Sequence, residues 1–447
     1  MFITLAVDAK EKRDTATLDI PNAFIQTEMN KEDKDGNRYV MKIRGALVDM
    51  LVQIAPEIYK DYITYERGHK ILYVQVLKAI YGMLQSALLF YKKVKNDLVN
   101  SGFEINPYDP CVANKMVKGS QMTVVWHVDD MKVSHARKDA VDSFIEWIKM
   151  KYGQIGEVKI KRGNEHTYLG MNLVFNENNG IKIDMKKYVQ EMIEEYPDDL
   201  KGTSKTPANE KLFKVNDKSN KLSKDEAEVF HTMVAKGLFL SKRSRPDIQM
   251  TIAFLCTRVR EPTMEDWGKL HRVMDYLKKT KEECLVMRMD DTGTIKWYID
   301  VSYAVHPDMR SHTGAVMTLG KGAVVSISSK HKVNTRSSTE AEFIGIDDVL
   351  SNVLWTKLFM EHQGIKIEQN IIYQDNKSTI LLSENGRNSA RKRSRHLNIK
   401  YFYITDKLEQ KEVKIEYCPT DDMIGDFNTK PLQGSKFIKF KRMILND

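Results

Sequence analysis

At 447 residues the chain is too long for one hydrophobic core, and its hydrophobic share of 42% and charged share of 29% are those of an ordinary globular protein of two or three domains. Its formal net charge of +9 points to an acidic polymer, most simply nucleic acid, as partner. Four scattered cysteines without CxxC spacing argue against structural zinc and disulfides, and no apolar run is long enough for a signal peptide or a membrane span, so a soluble intracellular protein is expected.

In chain order, Asp14 to Ile25 reads as a strand that ends at Asp19. Pro21 then blocks ladder pairing, and Phe24 follows five residues after the acid. Taken alone, Asp19 is a strand-end residue that caps the next helix. The stretch Leu77 to Tyr91, running on to Val94 and Leu98, is a loop that turns into an amphipathic helix, with its bend at Gly82 and its N-cap at Ser86. Most of that stripe is core, which leaves Gly82, Gln85 and Ser86 for substrate contact. In Met122–Val133, Val124, Trp126 and Val128 alternate onto one face, and Met131 and Val133 resume the alternation. Asp129 and Asp130 therefore belong at the tip of a tight hairpin. Two acids there are either an exposed polar turn or a cation site, because without a cation they repel each other. Asp19 as a third carboxylate favours the cation. Three acids are enough to hold two Mg²⁺ ions roughly 3.5–4 Å apart for in-line phosphoryl transfer.

The words Asp19-Ile-Pro-Asn-Ala-Phe24, Leu77 to Ser86, His127-Val-Asp-Asp130 and Tyr168-Leu-Gly170, in this order and spacing, resemble the reverse transcriptase of copia-type retrotransposons. The resemblance implies that Asp19, Asp129 and Asp130 are the polymerase metal ligands, with Mg²⁺ (or Mn²⁺) as cofactor, two ions per active site. It makes Phe24 the steric gate against the ribose 2′-hydroxyl. Gly82, Gln85 and Ser86 would lie under the templating base pair, and the turn at Tyr168 and Gly170 would grip the primer. His127 stands where the family usually has Tyr, and its expected place is the core beside the acids. The family also carries a basic fingers region ahead of the first acid. Only eighteen residues precede Asp19, so a truncated chain with partial fingers is expected.

From Pro197 a polar linker, Lys201 to Pro207, leads into helical periodicity through Leu277, broken at Arg245-Pro246-Asp247. By resemblance this is the thumb and connection, whose Lys and Arg residues either face water or touch the strand. Asp291-Thr292-Gly293 spells an aspartic-protease triplet, but it fits a turn opening the next strand.

From Thr294 the pattern is three strands, helix, strand, helix, strand, helix. Asp300 and Asp375 end strands, a hairpin turns about Gly320-Lys-Gly322, Thr339 to Glu342 starts a helix as a capping box, and Asp426 opens the last helix. Glu342 shares a face with Ile346, Val349 and Val353, whereas Glu340 lies about 200° around the axis and faces water. Glu342 is therefore the inward acid. Asp300, Glu342, Asp375 and Asp426 resemble the quartet of RNase H in its copia-type version, which implies a second pair of Mg²⁺ ions at an RNA phosphate. The basic run Arg391 to Arg395 with His396 reads as substrate contact, a nuclear localisation signal or a solvated loop.

The expected architecture is thus a multidomain α+β and α/β chain. It has a reverse-transcriptase palm over 1–200, a helical thumb and connection over 201–290, and an RNase H-like domain with a mixed five-stranded sheet over 291–447. The implied partners are RNA template, DNA primer, RNA–DNA hybrid and dNTPs, with no membrane, in the cytoplasm (a virus-like particle) or the nucleus. Two alternatives stay open: a polymerase-defective fragment that retains only RNase H activity, and a non-catalytic nucleic-acid-binding relic.

Overall fold

A computed structural model describes residues 1–29, 32, 36–176, 178–216, 218–386 and 398–446, and within them mixed helices and strands build four sheets. The first is antiparallel and six-stranded, in the order Glu104–Ile105, Val112–Val117, Ser120–His127, Asp130–His135, Asp14–Asp19, Lys159–Arg162. Its period-two alternation sends Ala16, Leu18, Val124, Trp126, Met131 and Val133 to one face. There they meet Phe90, Val94 and Leu98 of the helix Ser86–Asn100, and Phe144, Ile145 and Ile148 of the helix Lys138–Tyr152.

Against the opposite face lies a polar layer. The run Phe2–Lys10 is a buried helix, and its Asp8 carboxylate accepts from the Lys132 ammonium and, at 2.6 Å, from the Ser134 hydroxyl. Asp8 and Lys132 are both essentially without solvent contact, so the Lys132 charge depends on Asp8, which also has Arg13 at 4.0 Å.

A second, five-stranded antiparallel sheet joins Glu165–Tyr168, Met171–Asn176, Gly180–Asp184, Leu285–Met289 and Gly320–Lys321. It draws strands from all three expected segments, and one hydrophobic core runs from Ile3 to Ile444. Gly320-Lys321, expected as a bare hairpin tip, pairs with Arg288 and Met289 because the tip reaches the edge of this sheet.

The middle helices are Lys224–Ser241, Gln249–Cys256 and Met264–Lys279. The break between the first two is a core feature. Arg245, fully buried, donates two bonds to Asp247 and two to Thr280, and the Tyr276 hydroxyl donates to Asp247 at 2.7 Å. The polar linker before these helices is anchored, since Asp275 accepts from the backbone N–H groups of Gly202, Thr203 and Ser204. Those donors hold the Asp275 carboxyl below its ordinary range despite its burial.

The last sheet has the order Val325–Lys330, His312–Thr318, Thr294–Ser302, Gln369–Gln374, Lys414–Tyr417. The first three strands are antiparallel and the last two join in parallel, which makes the expected mixed five-stranded sheet. The helix Ser338–His362 crosses Thr294–Ser302 so closely that a Cβ at Gly345 would lie 2.3 Å from Val301. The Asp291 to Gly293 stretch is a turn, closed by Asp290 accepting from Thr292.

Two caps differ from expectation. Ser86 is the first residue of its helix, after Gln85, and its hydroxyl donates back to the Ile80 carbonyl at 2.6 Å. The long helix is capped by Ser337 instead of Thr339. Ser337 accepts from Glu340 N–H, and Glu340 reaches back to Arg336 N–H, so the stretch that closes the helix is Ser337 to Glu340.

Candidate metal centres

Two acidic centres stand on these sheets. At the first, Asp19 and Asp130 are direct cross-strand partners, and Ile20 N–H bonds the Asp129 carbonyl at 3.1 Å. The hairpin turns on Val128 and Asp129, since His127 pairs with Asp130. Val128 has φ 56°, a conformation that costs a β-branched residue about 1–3 kcal/mol. That strain is carried at the point where the acids meet. Desolvation, then the charges of Asp129 and Asp19, push the Asp130 carboxyl above its ordinary range. Asp19 also has a counter-ion that sequence reasoning missed: Lys159, on the neighbouring strand, at 3.5 Å.

The residues expected around this centre are placed unequally. The half-buried Phe24 ring lies 4.6 Å from the Tyr81 ring and 6.4 Å from Phe90, which fixes it beside the acids' strand. Gly82 is exposed with φ 91°, and Gln85 is exposed and donates to the Tyr39 hydroxyl. Ser86 is buried, so its side chain braces the loop. Tyr168 corrects the expectation of a substrate surface. It is 2% exposed and its hydroxyl donates to the Val125 carbonyl, because its strand register turns it into the core. The neighbouring Gly170 is exposed at the turn, with φ 78°. His127, expected in the core, is exposed beside the acids, as the last strand residue before the turn.

The second centre is deeper. Ligand atoms of Asp300, Glu342 and Asp375 all lie within 4.8 Å of one another, the only such group of His, Cys, Asp or Glu among the described residues. Glu342, not Glu340, is the buried acid, as the helix arithmetic required. Gly345, one turn further on, lets that helix approach the strand that carries Asp300. Each carboxylate is held from behind. The Thr429 hydroxyl donates to Asp300, the Gln374 amide donates to Glu342 at 3.3 Å, and the Thr420 hydroxyl donates to Asp375 at 3.0 Å. Burial, more than mutual repulsion, pushes Asp300 up to about 6, and burial with the charges of Asp300 and Asp375 pushes Glu342 well above its ordinary range. Hard oxygen donors, close together and with their carboxyl groups pushed upward by burial and mutual repulsion, fit a Mg²⁺-type cation.

Asp426 stands apart from that trio. It is 1% exposed, and its two oxygens meet the ammonium groups of Lys430 at 2.6 Å and Lys436 at 2.7 Å. Lys430 also reaches Asp300 at 3.3 Å. These lysines were missed in the sequence, although Lys430 sits four residues after Asp426. Arg395 and His396 lie outside the described residues.

A multidomain α+β protein with two carboxylate centres is therefore the class that fold and geometry define. No protein-family model matches the chain. It is 25% identical to the retrovirus-related Pol polyprotein from transposon TNT 1-94 of Nicotiana tabacum, over 84% of this chain and 28% of that protein. The Pol polyprotein from transposon RE2 of Arabidopsis thaliana is 22% identical over 99% of this chain and 28% of its own length. The transposon Ty1-JR2 Gag-Pol polyprotein of Saccharomyces cerevisiae is 22% identical over 80% of this chain and 21% of its own length. The copia-type resemblance read from the motifs therefore holds: the chain is homologous to a region of retrotransposon Pol polyproteins. It spans between a fifth and a third of the length of these relatives. Among the described residues, no helix is long and apolar enough to cross a membrane.

Proposed function

We propose that this Pol region carries two phosphoryl-transfer activities: RNA-directed DNA polymerisation at Asp19, Asp129 and Asp130, and cleavage of the RNA of an RNA–DNA hybrid at Asp300, Glu342, Asp375 and Asp426. In this reading residues 1–200 are the palm, 201–290 the thumb and connection, and 291–447 the RNase H-like domain. The observation that carries it is the convergence of Asp300, Glu342 and Asp375 from two parallel-paired strands and a crossing helix. The cross-strand meeting of Asp19 and Asp130 adds to it.

Bound Mg²⁺ would supply the charge that activates a nucleophile and stabilises the leaving oxygen. The protein's own part is positioning. Gln374, Thr420 and Thr429 fix the carboxylates that would hold the cation, and the packed Phe24 ring bounds the space beside Asp19 and excludes a 2′-hydroxyl. RNA template, DNA primer, hybrid and dNTPs are the partners this chemistry requires, and the net charge of +9 suits them.

Primer extension on poly(rA)/oligo(dT) with Mg²⁺, run beside cleavage of an RNA–DNA hybrid, tests the reading. Extension lost in Asp129→Asn and cleavage lost in Asp375→Asn supports it, and neither reaction in the intact chain overturns it. A second reading, cleavage without extension, is favoured by one asymmetry: among the described residues, only the C-terminal acids draw within 4.8 Å of one another. It predicts cleavage alone in the same pair of assays.

A further inference from the structure

A two-metal hydrolytic centre holds its divalent ions about 3.5–4 Å apart, so its acids must offer oxygens to both. Here both oxygens of the fourth acid are engaged by lysines. One Asp426 oxygen meets Lys430 at 2.6 Å, and the other meets Lys436 at 2.7 Å. Lys430 also donates to Asp300 at 3.3 Å, so a single ammonium bridges the two carboxylates that a second ion would have to share.

The bridge is built into the fold. Asp426 lies in the short helix Ile424–Asn428, Lys430 N–H bonds the Asp426 carbonyl at 2.9 Å, and Pro431 ends the turn. Lys436 comes from the separate helix Gly434–Leu445 and is tied to the Thr420 carbonyl at 3.2 Å. Both carboxylates are about 1% exposed, so water does little to screen them from these lysines. Among the described residues, Lys430 is the one cation in ion-pair contact with the Asp300–Glu342–Asp375 trio.

We propose that Lys430 is the permanent second cation of the C-terminal centre, so that this centre takes one divalent ion, on Asp300, Glu342 and Asp375, instead of two. Lys430 is then a positioning residue that presents a fixed positive charge where other sites load a metal. The inference rests on the nuclease reading only for its purpose; the ion count stands by itself.

Counting bound Mn²⁺ through the loss of the free-ion EPR signal tests it, in the full-length chain carrying Asp129→Asn and Asp130→Asn to silence the N-terminal centre. One ion is expected with Lys430 intact. Lys430→Met, which keeps the aliphatic stem, is expected to take two, and Lys430→Arg, which keeps the charge, one. Adding Asp426→Asn to Lys430→Met returns the count to one. Circular dichroism of each variant reports whether it is folded, and Lys430→Arg supplies the count if Lys430→Met is not. Two ions with Lys430 or Arg in place, or one ion in a folded Lys430→Met chain, overturns the inference. A chain that follows the expected counts but cleaves no hybrid removes the nuclease reading and leaves Lys430 in its role. A chain that cleaves hybrid with two ions bound does the reverse.

Discussion

The two acidic centres solve one electrostatic problem in opposite ways. At the hairpin, Asp19 is 45% exposed and Lys159, its ion partner, is 83% exposed, so water shares the work of separating three negative charges. At the C-terminal centre, Asp300 is 1% exposed and lysines, hydroxyls and an amide replace water. The exposed centre sets Asp19 opposite Asp130 across two strands, with Lys159 and water nearby. The buried one holds its trio within 4.8 Å and keeps the cost down by protonation and by Lys430. Preorganisation is thus deeper at the second centre, and its response to metal and to pH should be the stronger.

The sharpest way to break this comparison is to remove one acid at each centre. Asp375→Asn is expected to lower hybrid cleavage by about 100-fold or more, the scale of losing one charge-stabilising group, with extension unchanged. Asp129→Asn should do the converse, and a loss of both reactions in either variant would show that the centres are not independent.

Next in size is the buried pair behind the hairpin. Lys132→Met takes the direct ion partner from the buried Asp8, leaving it the Ser134 hydroxyl and Arg13 at 4.0 Å, and should cost about 3–5 kcal/mol in denaturant unfolding. The exposed Lys159→Met should cost no more than about 1 kcal/mol. Equal losses would erase the distinction between wet and dry charges.

Gln374→Ala removes the amide that orients Glu342. Metal affinity at the C-terminal centre should fall about 10–100-fold, read as a shift in the Mg²⁺ midpoint of cleavage.

The smallest effect is a pH dependence. Asp300, at about 6 in the folded chain against about 3.9 unfolded, favours folding while protonated. That contribution is lost as pH rises through about 6, and Glu342, raised further, extends the loss upward. A cation relieves the repulsion of the ionised forms and competes with protons below that range. The rise in Tm on adding Mg²⁺ should therefore be larger at pH 8 than at pH 5.5, in the chain with Asp129→Asn and Asp130→Asn. A constant rise would sink the claim that this centre holds protons when metal-free.

The alternation of Val124, Trp126, Met131 and Val133, acids at strand ends, and the choice of Glu342 over Glu340 were legible in the chain, whereas Val128 left the alternation for the turn and moved the tip from Asp129–Asp130 to Val128–Asp129. Each depends on residues within one turn or one hairpin, whose geometry hardly varies with context. Tyr168 and His127 were misplaced for a related reason. A residue at the end of a strand takes its burial from whatever lies across the turn, and alternation does not report that.

What the amino-acid order by itself determined is the strands that end in acids and the choice of Glu342 as the inward carboxylate of its helix. Only the tertiary structure decided which cations meet them. Asp8 finds Lys132, Asp19 finds Lys159, and Asp300 finds Lys430, each more than a hundred residues away. A charge's partner is chosen by distance in space and by the water excluded between the two, and neither quantity has a period along the chain.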